Sequence, residues 1–445
     1  ETGLGFGMND ASPSYQGVFF DADLDGDLDL YVSNDKGQNS CSAMNHLWLN
    51  VGGTFVDSTA GTGLGVCINS MGITIGDINA DGLFDVYCAN TPHGNPLLVS
   101  QTLLTWNDEA IARGVLSNRT AWGVAFLDYD NDRDLDLWVA NQSASDRLYV
   151  NDGTGHWTDQ GVMLGIADVA SSYCMAVADI DGDGDLDTVV QNYNSFVDLY
   201  VNHEGETRKS ARFRVIGAGH DRFAVGATLR ARFGSDWQLR VVQAGTGHKS
   251  QNEFVQTFGA RASTVVDELI VRFPGGAQRT LTGYPTGATW DVPAPALLGD
   301  VNRDGVRDLV DFQAMVPCFG AGSITAGCEP FDLDGEAGVD LADFGRFFQL
   351  YSGPKLDCDA DGVSGLAQIL MNPALDADGD GDLDSCEAPG GLVGDLTADG
   401  VVDVDDLNLL LRSIGPCRGG GCPADLNGDG IVGLADLWIL LAFWS

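Results

Sequence analysis

Apolar residues in the first 202 positions recur with period two in short runs: Leu28, Leu30 and Val32; Val86 and Cys88; Leu135, Leu137 and Val139; and Val189. Side chains at every second position share one face of an extended strand, so these runs predict β-strands. A second element recurs between them, as Asn45-His-Leu47-Trp48-Leu49-Asn50-Val-Gly-Gly-Thr-Phe55, as Asp146-Arg-Leu148-Tyr149-Val150-Asn151-Asp-Gly-Thr-Gly-His-Trp157, and as Val197-Asp-Leu199-Tyr200-Val201-Asn202. Strand, turn and strand repeated about every 51 residues predict the blades of a β-propeller. Past residue 300 the period changes to that of a helix. Phe312, Met315, Val316 and Phe319; Phe344, Phe347, Phe348 and Tyr351; Leu407, Leu410, Leu411 and Ile414; and Leu437, Leu440, Leu441 and Trp444 each fall at i, i+3, i+4 and i+7. One apolar stripe cannot be buried alone, so the helices are expected to pack in pairs, 300–351 and 395–445. A binding role for the stripes is the alternative.

Charge sharpens this picture. The chain has 445 residues, 23 basic and 64 acidic, for a net charge of −41. That excludes a nucleic-acid polyphosphate as the default partner. With 44% hydrophobic residues the chain can still bury cores, and the length suits about three domains. No apolar run reaches the roughly 18 residues a bilayer span requires; the longest candidate is Leu437 to Trp444. The sequence starts at Glu1 without a signal-peptide pattern, which reads as a processed form or a fragment.

The acidic residues are concentrated in ten clusters, which hold 44 of the 64. Four are nine-residue loops: Asp21, Asp23, Asp25 and Asp29; Asp77, Asn79, Asp81 and Asp85; Asp128, Asp130, Asp132 and Asp136; and Asp179, Asp181, Asp183 and Asp187. Their starts lie 56, 51 and 51 residues apart. The other six clusters begin at Asp300, Asp332, Asp357, Asp376, Asp395 and Asp425. Carboxylates at positions 1, 3, 5 and 9 of a loop that turns at position 6 converge on one point, and anions so close repel unless a cation joins them. Calcium fits, because it takes six to eight hard oxygen ligands including a backbone carbonyl, whereas zinc would call for Cys or His. Ligands expected in the later loops are Asp300, Asn302, Asp304, Val306, Asp308 and Asp311; Asp332, Asp334, Glu336, Asp340 and Asp343; Asp376, Asp378, Asp380, Asp382, Asp384 and Glu387; Asp395, Thr397, Asp399, Val401, Asp403 and Asp406; and Asp425, Asn427, Asp429, Ile431 and Asp436.

The first four loops and their strands resemble the FG-GAP/VCBS repeats of integrin-type β-propellers, which implies calcium between adjacent strands. Arg133 stands where the third loop would have glycine, and Asn79 replaces a carboxylate in the second. Val225-Gly226-Ala227, Ala244-Gly245-Thr-Gly247-His248-Lys-Ser250-Gln251 and Leu269-Ile-Val271-Arg-Phe273-Pro274 resemble an ASPIC/UnbV domain, a module of cartilage acidic protein-like and bacterial proteins that implies no settled chemistry. The C-terminal loop-helix units resemble dockerin type I and EF-hand repeats. Dockerins that bind cohesins usually carry Ser or Thr at loop positions 10 and 11. Here Leu309-Val310, Leu341-Ala342, Val404-Asp405 and Leu434-Ala435 occupy them, so calcium-dependent folding is expected and a cohesin partner is not. The expected fold is therefore multidomain and mainly β: an incomplete FG-GAP/VCBS propeller over 1–205, an ASPIC/UnbV domain over 206–293, and α-helical calcium repeats over 294–353, 354–390 and 391–445.

Local spacing pairs Cys318 with Cys328, Cys358 with Cys386 and Cys417 with Cys422; Cys41 with Cys67 would be a further bridge, with Cys88 and Cys174 free. Disulfides and many exposed calcium loops both suit an extracellular or cell-surface setting, zinc ligation by the cysteines being the alternative. No HExxH, GxSxG, P-loop or GxGxxG motif is present, so the functional expectation is adhesion or the binding of an extracellular protein or polysaccharide. A surface structural component and a polysaccharide-processing protein are the alternatives. Residues 206–293 carry 12 of the 23 Lys and Arg residues against seven acidic ones. That basic balance serves either to dock against the acidic neighbours or to bind an anionic glycan, for which Arg222, His248 and Lys249 are the candidates.

Overall fold

The computed structural model describes residues 12–37, 41, 43–166, 170–218, 221–303, 307, 309–320, 323–350, 394–397, 401–416, 422–426 and 431–444. Expected ligands Asp304, Val306, Asp308, Asp376, Asp378, Asp380, Asp382, Asp384, Glu387, Asp399, Asn427 and Asp429, and Cys358, Cys386 and Cys417, lie outside the described residues. Residues 1–301 with 314–343 form one compact unit, and 302–313 with 344–445 a second.

The period-two runs do form strands, arranged in four successive antiparallel sheets. The first three are meanders: β1 (Ser14–Phe20), β2 (Asp29–Asn34), β3 (His46–Val51) and β4 (Thr54–Asp57); β5 (Ile73–Gly76), β6 (Asp85–Cys88), β7 (Leu97–Thr102) and β8 (Thr105–Asp108); β9 (Ala121–Leu127), β10 (Asp136–Asn141), β11 (Arg147–Asn151) and β12 (Trp157–Asp159). The fourth sheet has three strands, β13 (Ser172–Ala178), β14 (Asp187–Asn192) and β15 (Val197–Tyr200). In every sheet the acidic loop joins the first strand to the second. The register is the same each time: Phe20 pairs with Asp29, Gly76 with Asp85, Leu127 with Asp136 and Ala178 with Asp187. The last aspartate of each loop is thus the first residue of a strand.

Apolar faces of neighbouring sheets bury one another. Phe20, Tyr31 and Leu47 pack with Ile73, Val86 and Trp106; Tyr87, Leu97 and Val99 with Val124, Leu137 and Trp157; and Leu127, Trp138 and Leu148 with Met175, Val177 and Val190. Each such side chain contributes about 1.5–3 kcal/mol by leaving water.

The next region contains two sheets. β16 (Lys209–Ile216) lies between β19 (Gln256–Arg261) and a parallel β24 (Thr289–Pro293). The other runs in the order β18 (Asp236–Val241), β17 (Thr228–Phe233), β21 (Glu268–Arg272) and β22 (Gln278–Leu281). The remaining short strands pair in twos, β20 (Val265–Val266) with β23 (Tyr284–Pro285) and β25 (Gly415–Pro416) with β26 (Ile431–Val432). Phe213, Phe258, Tyr284 and Trp290 form a chain of edge-to-face contacts in its core. This region is also joined to the first sheets: Leu239 and Val241 belong to the core between the first and second. Segment 243–253 runs among the first strands of the sheets. Gly245 O accepts from Gln16, Gly247 O from Met175, and Asn252 Oδ1 from Val177, while the Glu253 amide donates to Val177 O. Gly247 has φ +60, and a Cβ there would stand 1.9 Å from Met175 O, so only glycine allows this approach.

The helices are shorter than the apolar spacing suggests. They are α1 (Leu309–Met315), α2 (Leu341–Leu350), α3 (Val404–Arg412) and α4 (Leu434–Ala442). Phe312, Met315, Phe344, Phe347, Leu407, Leu410, Leu437 and Leu440 are buried, but Val316, Phe319 and Ile414 are exposed. Pro317 interrupts the first stripe: α1 gives way there to a tighter turn over Val316–Cys318. In the second unit α3 packs against α4.

Cys41–Cys67 and Cys318–Cys328 are disulfide-bonded, Cys422 is also in a disulfide, and Cys88 and Cys174 are free. No helix among the described residues is long and apolar enough to cross a membrane.

Candidate functional site

All four nine-residue loops are built on the same backbone plan. The position-9 carboxylate ties the loop to its sheet, accepting from the position-2 amide and from an amide on the third strand or just beyond it. Asp29 accepts from Ala22 (2.7 Å) and Asn50 (2.8 Å), and Asp85 from Ile78 (3.1 Å) and Ser100 (2.7 Å). Asp136 accepts from Tyr129 (3.1 Å) and Asn151 (2.8 Å), and Asp187 from Ile180 and Asn202, both at 2.8 Å. The position-1 carboxylate accepts the position-6 amide: Gly26 to Asp21, Gly82 to Asp77, Arg133 to Asp128 and Gly184 to Asp179. Position 6 is left-handed in every loop, with φ 99, 84, 85 and 96°. Arg133 adopts this conformation without being glycine.

Positions 1, 3 and 9 converge. Asp21, Asp23 and Asp29 each bring an oxygen within 4.8 Å of the others, as do Asp128, Asp130 and Asp136, and Asp179, Asp181 and Asp187. In the second loop Asn79 supplies an amide to Asp81 Oδ2, and no three-carboxylate group forms. Position 5 stays apart, because Asp25, Asp132 and Asp183 each turn back to the amide two residues on. Asp183 instead groups with His203 and Glu206, all exposed. His203 sits in no recognisable motif, so this second cluster is not legible in the sequence.

Burial makes these charges costly. Desolvation is the leading cause that pushes Asp21 to about 6, Asp29 and Asp128 to about 7 and Asp85 to about 8, and holds Asp136 well above the usual carboxylate range. Asp21 Oδ1 and Asp130 Oδ1 are buried without a hydrogen-bond partner. Orphaned acceptors beside converging carboxylates are the donor set a hard cation requires.

In the C-terminal loops the position-12 aspartates sit in the first turn of a helix, where Asp406 and Asp436 accept the amides of the N-cap residues Asp403 and Gly433. Asp343 accepts from Leu333 (2.6 Å), Asp334 (3.1 Å) and Asp340 (2.9 Å), Asp406 from Thr397 (2.7 Å) and Asp403 (2.9 Å), and Asp436 from Gly433 (2.8 Å). Asn302 donates to Asp311 at 3.5 Å. Asp332, Asp334 and Asp343 form a fifth three-carboxylate group. Asp332 also accepts from Tyr284 Oη, and its carbonyl from Arg279. Glu336 and Asp340 stay outside this group, their amides donating to Asp332 and Asp334 and to Asp343. Asp300 is buried, Val401 and Ile431 are more than 40% exposed, and neither Asp395 nor Asp425 joins a three-carboxylate group among the described residues.

Four arginines of 206–293 face the nine-residue acidic loops, while Arg214 and Arg232 pair with Asp291 and Glu268 of their own region. Arg208 Nη1 lies 2.7 Å from Asp130, Arg212 Nη1 2.8 Å from Asp179, and Arg261 Nη2 3.4 Å from Asp134, while Arg240 is electrostatically coupled to Asp128 and Asp77. Arg133 returns the contact: it pairs with Asp236 (2.8 Å), donates to Ala260 O and Ser263 Oγ, and lies over the Phe233 ring. Of the candidate anion-binding residues, Arg222 and Lys249 are exposed, whereas His248 is 1% exposed, beside Tyr15 and Trp122. Lys249 Nζ is over the Tyr15 ring. No hydrogen bond or ring contact among the described residues joins Arg222 to the other two.

Repeated sheet, acidic loop and second β-rich region define a two-module class. Residues 21–88 and 128–190 match the FG-GAP-like repeat, and residues 217–296 match the ASPIC and UnbV domain; both are present in this chain. The chain is similar to cartilage acidic protein 1 of Xenopus tropicalis, 26% identical over 266 residues, which cover 56% of this chain and 40% of that one. It is also similar to cartilage acidic protein 1 of Homo sapiens, 24% identical over 253 residues, covering 53% and 36%. The match thus spans less than half the length of these relatives. The solved V. cholerae biofilm matrix protein Bap1 aligns at 12% identity over 61% of this chain and 59% of that one, with a TM-score of 0.24, too low to bear on the fold.

Proposed function

We propose that this is a calcium-dependent extracellular binding protein, whose four sheets are blades of an FG-GAP-type β-propeller braced by the ASPIC/UnbV domain. The convergence of Asp21, Asp23 and Asp29 beside the orphaned Asp21 Oδ1 carries this reading, with the same arrangement beside Asp130 Oδ1 in the third loop and the convergence alone in the fourth. Asp21, Asp23 and Asp29, then Asp128, Asp130 and Asp136, and Asp179, Asp181 and Asp187 would hold the ion, whose charge would add to that of Arg208 at Asp130 and of Arg212 at Asp179. Fixed in this way, the loops hold the first two strands of each sheet together. The disulfides Cys41–Cys67 and Cys318–Cys328 support an oxidising, extracellular setting. Its ligand would be an extracellular protein or polysaccharide.

Isothermal titration of chelator-treated protein with calcium, alongside melting with and without EDTA, tests this reading. Saturable binding at more than one site and a raised melting temperature are expected, because a ligand bound only by the folded state stabilises it. A calcium-insensitive melting temperature together with silent titration would refute it.

A further inference from the structure

Asp185, at position 7 of the fourth acidic loop, is 1% exposed, and neither of its carboxylate oxygens has a hydrogen-bond partner. Its counterparts in the other loops are not left in this way. Asp27 is exposed, Asp134 lies 3.4 Å from Arg261, and the second loop has Leu83 there. A buried carboxylate with neither donor nor counter-charge is costly, so the surroundings of Asp185 call for an explanation.

The segment that leaves β15 folds onto it. Gly205, which opens a tight turn over Gly205–Thr207, comes so close that a Cβ there would stand 2.4 Å from Asp185 Cβ and 3.0 Å from Asp185 Oδ2. Asn131 of the third loop secures the contact by donating to Gly184 O (3.2 Å) and Gly205 O (3.4 Å). The close approach of Gly205 carries its neighbours His203 and Glu206 to the fourth loop, where Asp183, His203 and Glu206 each bring a ligand atom within 4.8 Å of the others. The carboxylates of Asp183 and Asp185 meet with no proton donor between them, and the charge of Asp185 reaches His203. Among the described residues no Lys or Arg pairs with these carboxylates. Arg208, the nearest in the chain, is turned to Asp130.

Ligand chemistry selects the ion. Calcium takes six to eight oxygens, whereas an imidazole together with carboxylates suits zinc, which binds four ligands at about 2.0–2.2 Å. Glu206 Oε1 lies 2.6 Å from His203 Nδ1. A carboxylate so placed orients a metal-binding imidazole and leaves Nε2 for the ion. The side chains of His203 and Glu206 are 67% and 50% exposed, so the ion has a path from solvent and the ligands have room to close on it. Asp183 is free for this role because its Oδ1 accepts the Asp185 amide at 3.1 Å, apart from the converging oxygens of Asp179, Asp181 and Asp187.

We propose that Asp183, Asp185 and His203 form a zinc site, with Glu206 holding the imidazole, separate from the position where the fourth loop's own carboxylates converge. The ion supplies the counter-charge that Asp185 lacks. It also clamps the segment between β15 and β16 to the fourth loop, so that zinc stiffens the link from the last sheet into the region that follows. This inference holds whether or not the nine-residue loops bind calcium.

The test is titration of the full chain, disulfides intact, with zinc in saturating calcium, read by competition with a chromophoric chelator and by the melting temperature. Saturable uptake and a raised melting temperature are expected. His203→Ala should weaken the uptake about tenfold or more, while its melting temperature without zinc stays that of the parent because the side chain is exposed. Asp185→Asn should lose the zinc response yet melt no lower than the parent in zinc-free buffer, since it removes a buried charge that has no partner; a carboxylate needed only for the fold would give the reverse. No saturable uptake up to about 100 μM zinc, uptake unchanged in His203→Ala, or a lowered zinc-free melting temperature in Asp185→Asn would overturn the proposal. So would zinc that calcium displaces, which would put the ion among Asp179, Asp181 and Asp187.

Discussion

Arg212 Nη1 lies 2.8 Å from Asp179 Oδ2, and its Nη2 closes on both oxygens of Glu253, at 2.6 and 2.8 Å. Glu253 Oε1 in turn accepts the Asp179 amide. One guanidinium from β16 thus binds the first residue of the fourth acidic loop to the segment that threads the sheets.

Replacing that guanidinium leaves two largely buried carboxylates facing each other. Arg212→Met should therefore destabilise the protein by about 3 kcal/mol, the scale of breaking a buried ion pair from one side. Urea unfolding measures this directly. Saturating calcium should recover part of the loss, since a cation at the fourth loop neutralises Asp179. An unchanged midpoint would mean that the pair contributes nothing.

The strands and loops were legible in the sequence because both follow local rules. Period two places Leu135, Leu137 and Val139 on a strand, and acidic spacing around a turn places Asp128, Asp130 and Asp136 at one point. The role of position 9 was half legible: Asp29 and its counterparts sit among the converging oxygens, but their bonds to Asn50, Ser100, Asn151 and Asn202 depend on the third strand, more than a dozen residues away. Long-range docking was not legible. Nothing in Leu239 or Val241 announces that they complete a core begun at Val18, and Gly245 meets Gln16 across 229 positions. The i, i+3, i+4 and i+7 spacing of Phe312 to Phe319 took no account of Pro317, a local rule that ends the helix there.

The raised carboxylates give the calcium-free protein an unusual pH response. Burial lifts Asp29 and Asp128 to about 7 and Asp85 to about 8, well above their values in an unfolded chain. A group whose folded pKa is raised favours the proton in the folded state, so stability is present at low pH and lost as pH rises through the folded pKa. In EDTA the melting temperature should fall as pH rises from about 4 to about 8, the interval between the unfolded and folded pKa values, and level off above it. With excess calcium the slope should flatten or reverse, because protons and the metal compete for the same oxygens. Parallel slopes with and without calcium would contradict this account.

His248 works in the opposite sense. Burial, with Lys249 beside it, lowers this imidazole to about 4. A depressed histidine stays neutral in the fold, so the unfolded chain gains the proton first and stability is lost as pH falls from about 6.5 to 4. The loss should approach about 3 kcal/mol at the acid end. His248→Asn removes the titration and keeps a residue that accepts the left-handed φ of 60° found there. The stability difference between parent and variant, measured across that pH range, should shrink as pH falls. A constant difference would show that the imidazole is not held neutral.

Arg133 separates the backbone demand of the third loop from its contacts. Its φ of 85° is one that the other loops give to glycine, so Arg133→Gly should relieve local strain of about 1 kcal/mol. The same change removes the 2.8 Å pair with Asp236, the bonds to Ala260 O and Ser263 Oγ, and the contact with the Phe233 ring. Charge-assisted bonds contribute about 1.5–3 kcal/mol each, so the loss outweighs the relief and a net destabilisation of about 2 kcal/mol is expected. Arg133→Lys should not rescue it, because a single ammonium cannot reach Asp236, Ala260 and Ser263 in the planar fork that guanidinium provides. Calcium affinity at Asp128, Asp130 and Asp136 should be retained in Arg133→Gly, since the position-6 amide still reaches Asp128. A glycine variant more stable than the parent would show that loop strain, and not anchoring of the second module, governs this position.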